Sequence, residues 1–441
     1  MRRPIAAFAG LVVATLAAAG PRADDLRFVR QEYVLRSPAF TPAARRAVLR
    51  FIDASAAAAD AMTPEQYLAC ALRIAAFADN GHDGLGVGDA SWYPEARLPL
   101  RMIWFADGWI VARADAARAE LLGARVLAIE GRSPAALFRR VRDLSGGTDA
   151  YRRWNLQPLL ENAGILHALG LAARPDGLRL ALRLADGRRV ERYVPFVAKS
   201  VLPGGQAPQR LWSPAPWPGE AERGWVAYGH QPVPLYLEEG GQAFRIARLA
   251  EADALYVQMR THGDAPDETV EQFRGRVDAA IAADHPRNLV VDLRFDSGGD
   301  IDLTRDWQRS LAARIPGRIY VLIGPYTFSA GIVAAAALRH DAGGRARVVG
   351  EGPGDRLRWW SEGESVCMPA SGYCMHRTAG LWDLRRGCAG QPACYGDRYA
   401  ARVGTLRPDL RAPLTGDAWL AGRDPAMEAV GRDIGSSRSA R

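Results

Sequence analysis

The sequence predicts an α/β fold, and three observations carry that reading. From Ala254 onward, short apolar runs suited to buried strands alternate with longer amphipathic or alanine-rich runs suited to helices, the pattern of crossover units around a largely parallel sheet. Ahead of it, residues 98–200 hold short strand-like runs and an Asp186-Gly187 hairpin signal. Earlier still, Leu35 to Asp79 has helical apolar spacing and two Thr-Pro starts. The chain has 441 residues, 48% hydrophobic and 24% charged. That suits two or three globular domains and excludes a disordered, collagen-like or polytopic membrane chain.

The first element reads as an export signal. Met1-Arg2-Arg3 is a positive start, Pro4 to Gly20 is apolar and rich in small residues, and Ala17-Ala18-Ala19 fits a cleavage site. A membrane anchor is the alternative, but the run falls short of the roughly 20 apolar residues a span takes. Residues 1–23 are therefore expected to be a signal peptide. The mature chain is expected to be periplasmic or secreted, with no stable membrane insertion after cleavage.

Residues 24–97 are expected to form a helical region. Thr41-Pro42 starts one helix; Thr63-Pro64-Glu65-Gln66 starts another with a capping-box pattern and ends it near Asn80-Gly81. In residues 98–200, strands are expected at Leu100–Phe105, Trp109–Ala112, Arg125–Ile129, Leu178–Leu184 and Val190–Val197, with helices over Pro134–Leu144 and Asn155–Leu169. Residues 201–234, with Pro214, Pro216 and Pro218, read as a linker or long surface loop. In residues 235–430, strands at Ala254–Met259, Asn288–Leu293, Arg318–Ile323 and Ala346–Val349 alternate with helices at Thr269–Ala283, Leu303–Ala313 and Ser329–Leu338. Residues 431–441 are a tail.

The net charge is +8, and the basic side is almost all arginine, with Lys199 the one lysine. No dense basic run with interleaved aromatics occurs, so no nucleic-acid partner is expected. Cys70 stands alone, while Cys367, Cys374, Cys388 and Cys394 cluster late. Their spacings are wider than the usual zinc pairs. An exported chain allows two disulfides there; Cys367 with Cys374 and Cys388 with Cys394 is the simplest pairing, and the other two connectivities stay open.

Two segments carry chemistry. In Asp292-Leu293-Arg294-Phe295-Asp296-Ser297-Gly298-Gly299 a buried strand runs into paired glycines, which let backbone N–H groups face a cleft. A tight turn would explain the glycines alone. In Thr327-Phe328-Ser329-Ala330-Gly331 a strand gives way to a serine at the start of an alanine-rich helix. Ser329 is either an N-cap or a nucleophile at a helix N-terminus.

Together with VVGEGPG at Val348–Gly354, these segments resemble the tail-specific, or C-terminal processing, serine protease family. Leu406-Arg407-Pro408-Asp409 and Ala421-Gly422-Arg423-Asp424-Pro425 are similar to its closing segment. The resemblance implies a crotonase-like αβ protease core and Ser329 as nucleophile. It also implies an oxyanion hole from the N–H of Ala330 with one of Gly298 or Gly299. Neither a cofactor nor a metal is implied, and the partner is a peptide or protein substrate.

Many members of that family pair the serine with a lysine that follows the Gly-Glu motif. Here Asp355 occupies that place, arginine stays protonated and cannot replace it, and Lys199 lies far upstream. A second branch uses an upstream histidine in a short Asp-Gly-His-like motif, which Asp79-Asn80-Gly81-His82 resembles with one residue inserted. His82 is therefore the expected base. The acid that would orient it is unassigned; Asp83, Asp383 and Asp397 are the candidates.

Gly123 and the strand after it, with Gly131 beyond, resemble an element of PDZ-like peptide-binding modules, though an ordinary strand between turns fits equally. Trp359, Trp360 and Phe328 are candidates for an apolar wall near Ser329. Two functions follow: an exported Ser/His serine protease working through an acyl-enzyme, or a non-catalytic peptide- or ligand-binding protein on the same fold.

Overall fold

The computed structural model describes residues 20–87, 97–197, 211–216, 219–229, 233–399 and 401–439. Lys199, Pro218 and most of the expected signal lie outside the described residues. The C-terminal half is built on a six-stranded sheet ordered Leu410–Arg411, Ala346–Gly350, Ile319–Ile323, Asn288–Asp292, Ala254–Met259, Phe244–Leu249. All neighbours are parallel except the last pair, which is antiparallel. The central strands are buried along their whole length, as expected of a parallel sheet covered on both faces.

Three helices, Val270–Asp284, Arg305–Arg314 and Ala330–Ala342, pack Phe273, Val277, Leu311 and Ile332 against Val257, Leu289, Val291 and Val321 on one face. Tyr256, Val290 and Leu322 point to the other, where Ala426, Val430 and Ile434 of the helix Pro425–Ser439 cover them. Val270–Asp284 opens with a complete capping box from Thr269 and Gln272, worth about 1 kcal/mol.

The β-rich region is an antiparallel sheet ordered Leu100–Phe105, Gly108–Asp115, Arg125–Ile129, Gly177–Arg183, Arg189–Pro195. Arg125–Ile129, the strand of the PDZ-like resemblance, lies between two neighbours rather than at an edge. The expected single helix over Asn155–Leu169 is instead three short ones, Asp149–Asn155, Gln157–Leu160 and Ala163–Ala168. Pro158 cannot donate within a helix, and Asn162 caps a new one by accepting the N–H of Ile165 at 2.7 Å. Where described, the expected linker is packed structure: Trp225–Ala227 pairs with Gly108–Asp115, and Trp212 and Trp225 are buried.

Near the N-terminus, the Thr41 and Thr63 caps start their helices as expected, the second with its capping box. A further helix, Pro21–Val29, lies ahead of them and buries Ala23, Leu26 and Val29. The expected boundary after residue 23 falls in its first turn.

A third, antiparallel sheet positions the site. Strands Arg358–Cys367 and Tyr373–Asp383 form a long hairpin, and Leu85–Val87, just after His82, adds to its edge. Asn80 fastens the same junction: its side-chain amide donates to Trp360 O at 2.7 Å, and its carbonyl accepts the Trp360 N–H at 3.0 Å. Disulfides join Cys367 to Cys374 and Cys388 to Cys394, and Cys70 is free and buried. Among the described residues no helix is long and apolar enough to cross a membrane.

Candidate active site

Asp292 and Ile323 end neighbouring parallel strands, and the loops beyond them carry the paired glycines and Ser329. A crevice outside the carboxyl ends of parallel strands is where α/β sheets usually bind ligands. A hollow of about 540 Å³ at the opposite strand ends, lined by Arg287, Gly317 and Arg318, has no serine, threonine or cysteine among its described lining residues.

Ser329 occupies the N-cap position of Ala330–Ala342, yet its side chain makes no cap hydrogen bond and its backbone sits at φ 50°, ψ −122°. An ordinary N-cap is extended, so capping does not explain this serine. A non-glycine residue held there costs about 1–3 kcal/mol. Surrounding bonds enforce it. Phe328 N–H donates to Asp296 O at 2.9 Å, and Thr327 Oγ1 donates to Leu293 O at 2.7 Å while accepting the Gly324 N–H. Two glycines make the approach possible. A Cβ on Gly331 would lie 2.6 Å from Asp296 O, and one on Gly298 would lie 2.7 Å from Ser329 Cβ.

The N–H groups expected to hold an oxyanion are not equivalent. Gly298 N–H donates to Asp296 Oδ1 at 3.0 Å and is already spent. Among the described residues, the N–H groups of Gly299 and Ala330 donate to no acceptor. Ala330 begins a helix of 13 residues, so its N–H carries the positive end of the helix dipole.

A buried pair that the sequence reading missed shapes this loop. His262 Nε2 lies 2.9 Å from Asp296 Oδ2, off the axis of a well-formed hydrogen bond, with both side chains fully buried. His262 Nδ1 faces Thr304 Oγ1 at 2.8 Å. Its backbone donates to Gly298 O at 2.8 Å and accepts from Asp300 N at 2.8 Å, bracketing Gly299. The available signal was positional: His262 follows Ala254–Met259 at the same end of the sheet as the glycine pair, and Asp296 stands inside the glycine motif.

His82 arrives on the other side of Phe328. Its ring stacks on Phe328 with centroids 4.4 Å apart and lies parallel to Trp359 at 6.4 Å. About 13% of the side chain is exposed, but both ring nitrogens are buried and neither has a hydrogen-bond partner, Ser329 Oγ included. Burial, with His376 nearby, lowers its pKa to about 3, so the ring is neutral.

The carboxylate beside it is Asp355, whose Oδ2 lies 3.9 Å from His82 Nδ1. Burial pushes this acid up to about 6 against the pull of the Arg356 N–H and charge. Asp83 turns away, accepting from Tyr33 at 2.9 Å, Asn80 at 2.7 Å and Thr378 at 2.8 Å. Asp383 caps the turn at Arg385 and Arg386 and pairs with Arg358. The side chain of Asp397 lies outside the described residues.

Ser329 opens into a cavity of about 320 Å³ walled by Trp359, Trp382, Tyr395 and Tyr399, with Glu362 among its lining residues. Of the expected apolar wall, Trp359 lines this cavity, Phe328 backs His82, and Trp360 packs into the N-terminal core instead. The two late segments tie back to the sheet: Asp409 accepts from Arg339 and from Val348 N–H, and Asp424 pairs with Arg294, which also holds Asp292. Burial alone would raise Asp292; the charge and hydrogen bonds of Arg294 hold it below its ordinary value.

Solved structures share the mixed helix-and-sheet fold of this chain over nearly its whole length. The particular likeness is to mature CPAF, at a TM-score of 0.59 and 12% identity over 94% of this chain and 96% of that one. Mature CPAF complexed with lactacystin matches at 0.56 and 12%, over 95% and 98%. The photosystem II D1 C-terminal processing protease aligns over 95% of this chain and 97% of its own, at 0.40 and 14%. No protein-family model matches the sequence, and none of the curated proteins compared with it does.

Proposed function

We propose that this chain is an exported serine peptidase that cleaves peptide bonds through an acyl-enzyme on Ser329. The observation that carries the reading is Ser329 itself: a strained, uncapped serine at a helix N-terminus, beside the two unspent N–H groups of Gly299 and Ala330. Strain held at such a point is a usual mark of function.

In the proposed reaction Ser329 Oγ attacks the scissile carbonyl carbon while His82 takes the hydroxyl proton. The carbonyl oxygen becomes an oxyanion, accepting from Gly299 and Ala330. Collapse breaks the C–N bond, His82 returns the proton to the leaving amine, and an ester remains on Ser329. Water, deprotonated by His82, hydrolyses that ester. A ring neutral down to about pH 3 is in the form a base needs but holds a proton weakly, so substrate binding must also raise its pKa as it meets Ser329. Asp355, the acid beside Nδ1, is the group we assign to orient it. Substrate binding must draw His82 and Ser329 into contact, as catalytic hydrogen bonds commonly tighten only in the complex. Export is supported by the signal-like start and the two disulfides.

The unpartnered His82 nitrogens favour one alternative, a peptide- or ligand-binding protein that does not cut. A fluorophosphonate probe decides between them. Labelling of the wild-type chain that disappears in Ser329→Ala supports the peptidase. A wild-type chain that resists the probe, or a variant that still reacts, overturns it.

A further inference from the structure

We infer that the cavity beside Ser329 selects a cationic side chain on the residue that supplies the scissile carbonyl, and that Glu362 recognises it; this rests on the peptidase reading above. Glu362 is placed with unusual care. Its backbone sits at φ 50°, a left-handed conformation that side chains other than glycine's rarely take. In the hairpin, Ser361 pairs with Gly380 and Gly363 with Thr378 in unbroken register, so Glu362 stands opposite Ala379 without a ladder pair of its own. Gly380 makes room for it, since a Cβ there would lie 2.7 Å from Glu362 Cγ and 2.9 Å from Tyr395. The carboxylate is then fixed: Oε1 accepts from Trp382 Nε1 at 2.8 Å and from Ser361 Oγ at 2.8 Å.

Its carboxylate is open to solvent and has no cationic partner among the described residues. The chain carries more basic than acidic residues, and most of its described carboxylates near the sheet ends meet an arginine. Among the described residues no arginine or histidine lies in ion-pair contact with Glu362. None lines the cavity either, whose other charged members are Asp300 and Asp302. Arg305 is taken by Asp302 at 3.4 Å and lies over Tyr399, and Arg398 lies over Tyr395.

The walls suit the same ligand. Trp359 and Trp382 stack in parallel, 2° apart in tilt, and Trp382 stacks on Tyr399 with centroids 4.8 Å apart. Aromatic faces attract a cation and cover the methylene stem that carries it. Glu362 is open to solvent, and a neutral or acidic side chain entering the cavity would displace water from its carboxylate without pairing it, which disfavours the wrong ligand.

The test uses three fluorogenic peptides identical except for arginine, norleucine or glutamate at that residue. The wild-type chain is expected to prefer arginine over norleucine in kcat/KM by at least about tenfold, with glutamate poorest. Glu362→Gln is expected to cut that arginine-to-norleucine ratio about tenfold. Glu362→Asn, whose side chain tolerates the left-handed backbone, is expected to do the same if glutamine disturbs the hairpin. A ratio unchanged in both variants, or a uniform loss on all three peptides, overturns the inference.

A second measurement needs no turnover. The full-length chain carrying Ser329→Ala is titrated with the arginine and norleucine peptides, read by quenching of tryptophan fluorescence. Tighter binding of the arginine peptide supports the cavity assignment even if the probe shows the chain does not cut. Equal binding sinks the assignment and leaves the peptidase reading standing on its own test.

Discussion

The ring of His82 stacks on that of Phe328, the residue immediately before Ser329, with centroids 4.4 Å apart. That contact brings a segment from the N-terminal region against the loop that carries Ser329, and it makes the histidine's proposed role separable from its packing. His82→Phe keeps an aromatic ring on Phe328 but removes the nitrogens. Its thermal midpoint is expected to stay close to that of the wild type, while the rate of probe labelling falls by about 100-fold or more. Undiminished labelling would remove His82 from the mechanism.

Asp355 predicts a pH dependence. If its carboxylate must be ionised to orient His82, the labelling rate rises with pH through about 6 and then levels. Asp355→Asn is expected to abolish that rise and lower the plateau. The same group has a stability signature. Its folded pKa of about 6 exceeds the ordinary 3.8. The native state therefore holds its proton more tightly, and stability falls as pH increases between those two values. Asp355→Asn should thus stabilise the protein by roughly 1–3 kcal/mol at pH 7 and by little at pH 4, measured by denaturant unfolding at both.

The His262–Asp296 pair predicts an effect on rate rather than affinity. Asp296 takes the Gly298 N–H and His262 brackets Gly299, so in the proposed reaction the pair sets the direction of the Gly299 N–H. His262→Asn is expected to lower kcat by about 100-fold with KM changed much less, the pattern of a lost oxyanion contact. Equal losses in both parameters would argue that the pair only holds the fold.

Strain at Ser329 can be read directly. Ser329→Gly relieves φ 50° and is expected to stabilise the chain by about 1 kcal/mol while inactivating it, whereas Ser329→Ala keeps the strain. Unfolding midpoints of the two variants, compared side by side, check this; a glycine variant no more stable than the alanine one contradicts it.

Much of the fold was legible because the apolar periods are clean. The strands Leu100–Phe105, Arg125–Ile129 and Ala254–Met259 match their sequence expectation residue for residue. The hairpin of Arg358–Cys367 and Tyr373–Asp383 was not legible. Its first strand is Arg-Trp-Trp-Ser-Glu-Gly-Glu-Ser-Val-Cys, mostly exposed, with glycine and charges where a strand pattern needs alternation. Pairing with the next strand, not local propensity, makes it a strand. Asn155–Leu169 failed for the opposite reason: its apolar spacing is helical, but Pro158 and the Asn162 cap divide it.

The amino-acid sequence by itself determined the parallel-sheet architecture, the glycine motif and the serine at the head of an alanine-rich helix, because each depends on near neighbours in the chain, while it left three cysteine pairings open. Only the tertiary structure decided which groups meet. It turned Asp83 toward Tyr33, set Asp355 beside His82 and placed Glu362 on the cavity that Ser329 lines. Those relations join residues brought together by sheet pairing and packing, and no local pattern encodes a contact whose partners lie far apart along the chain.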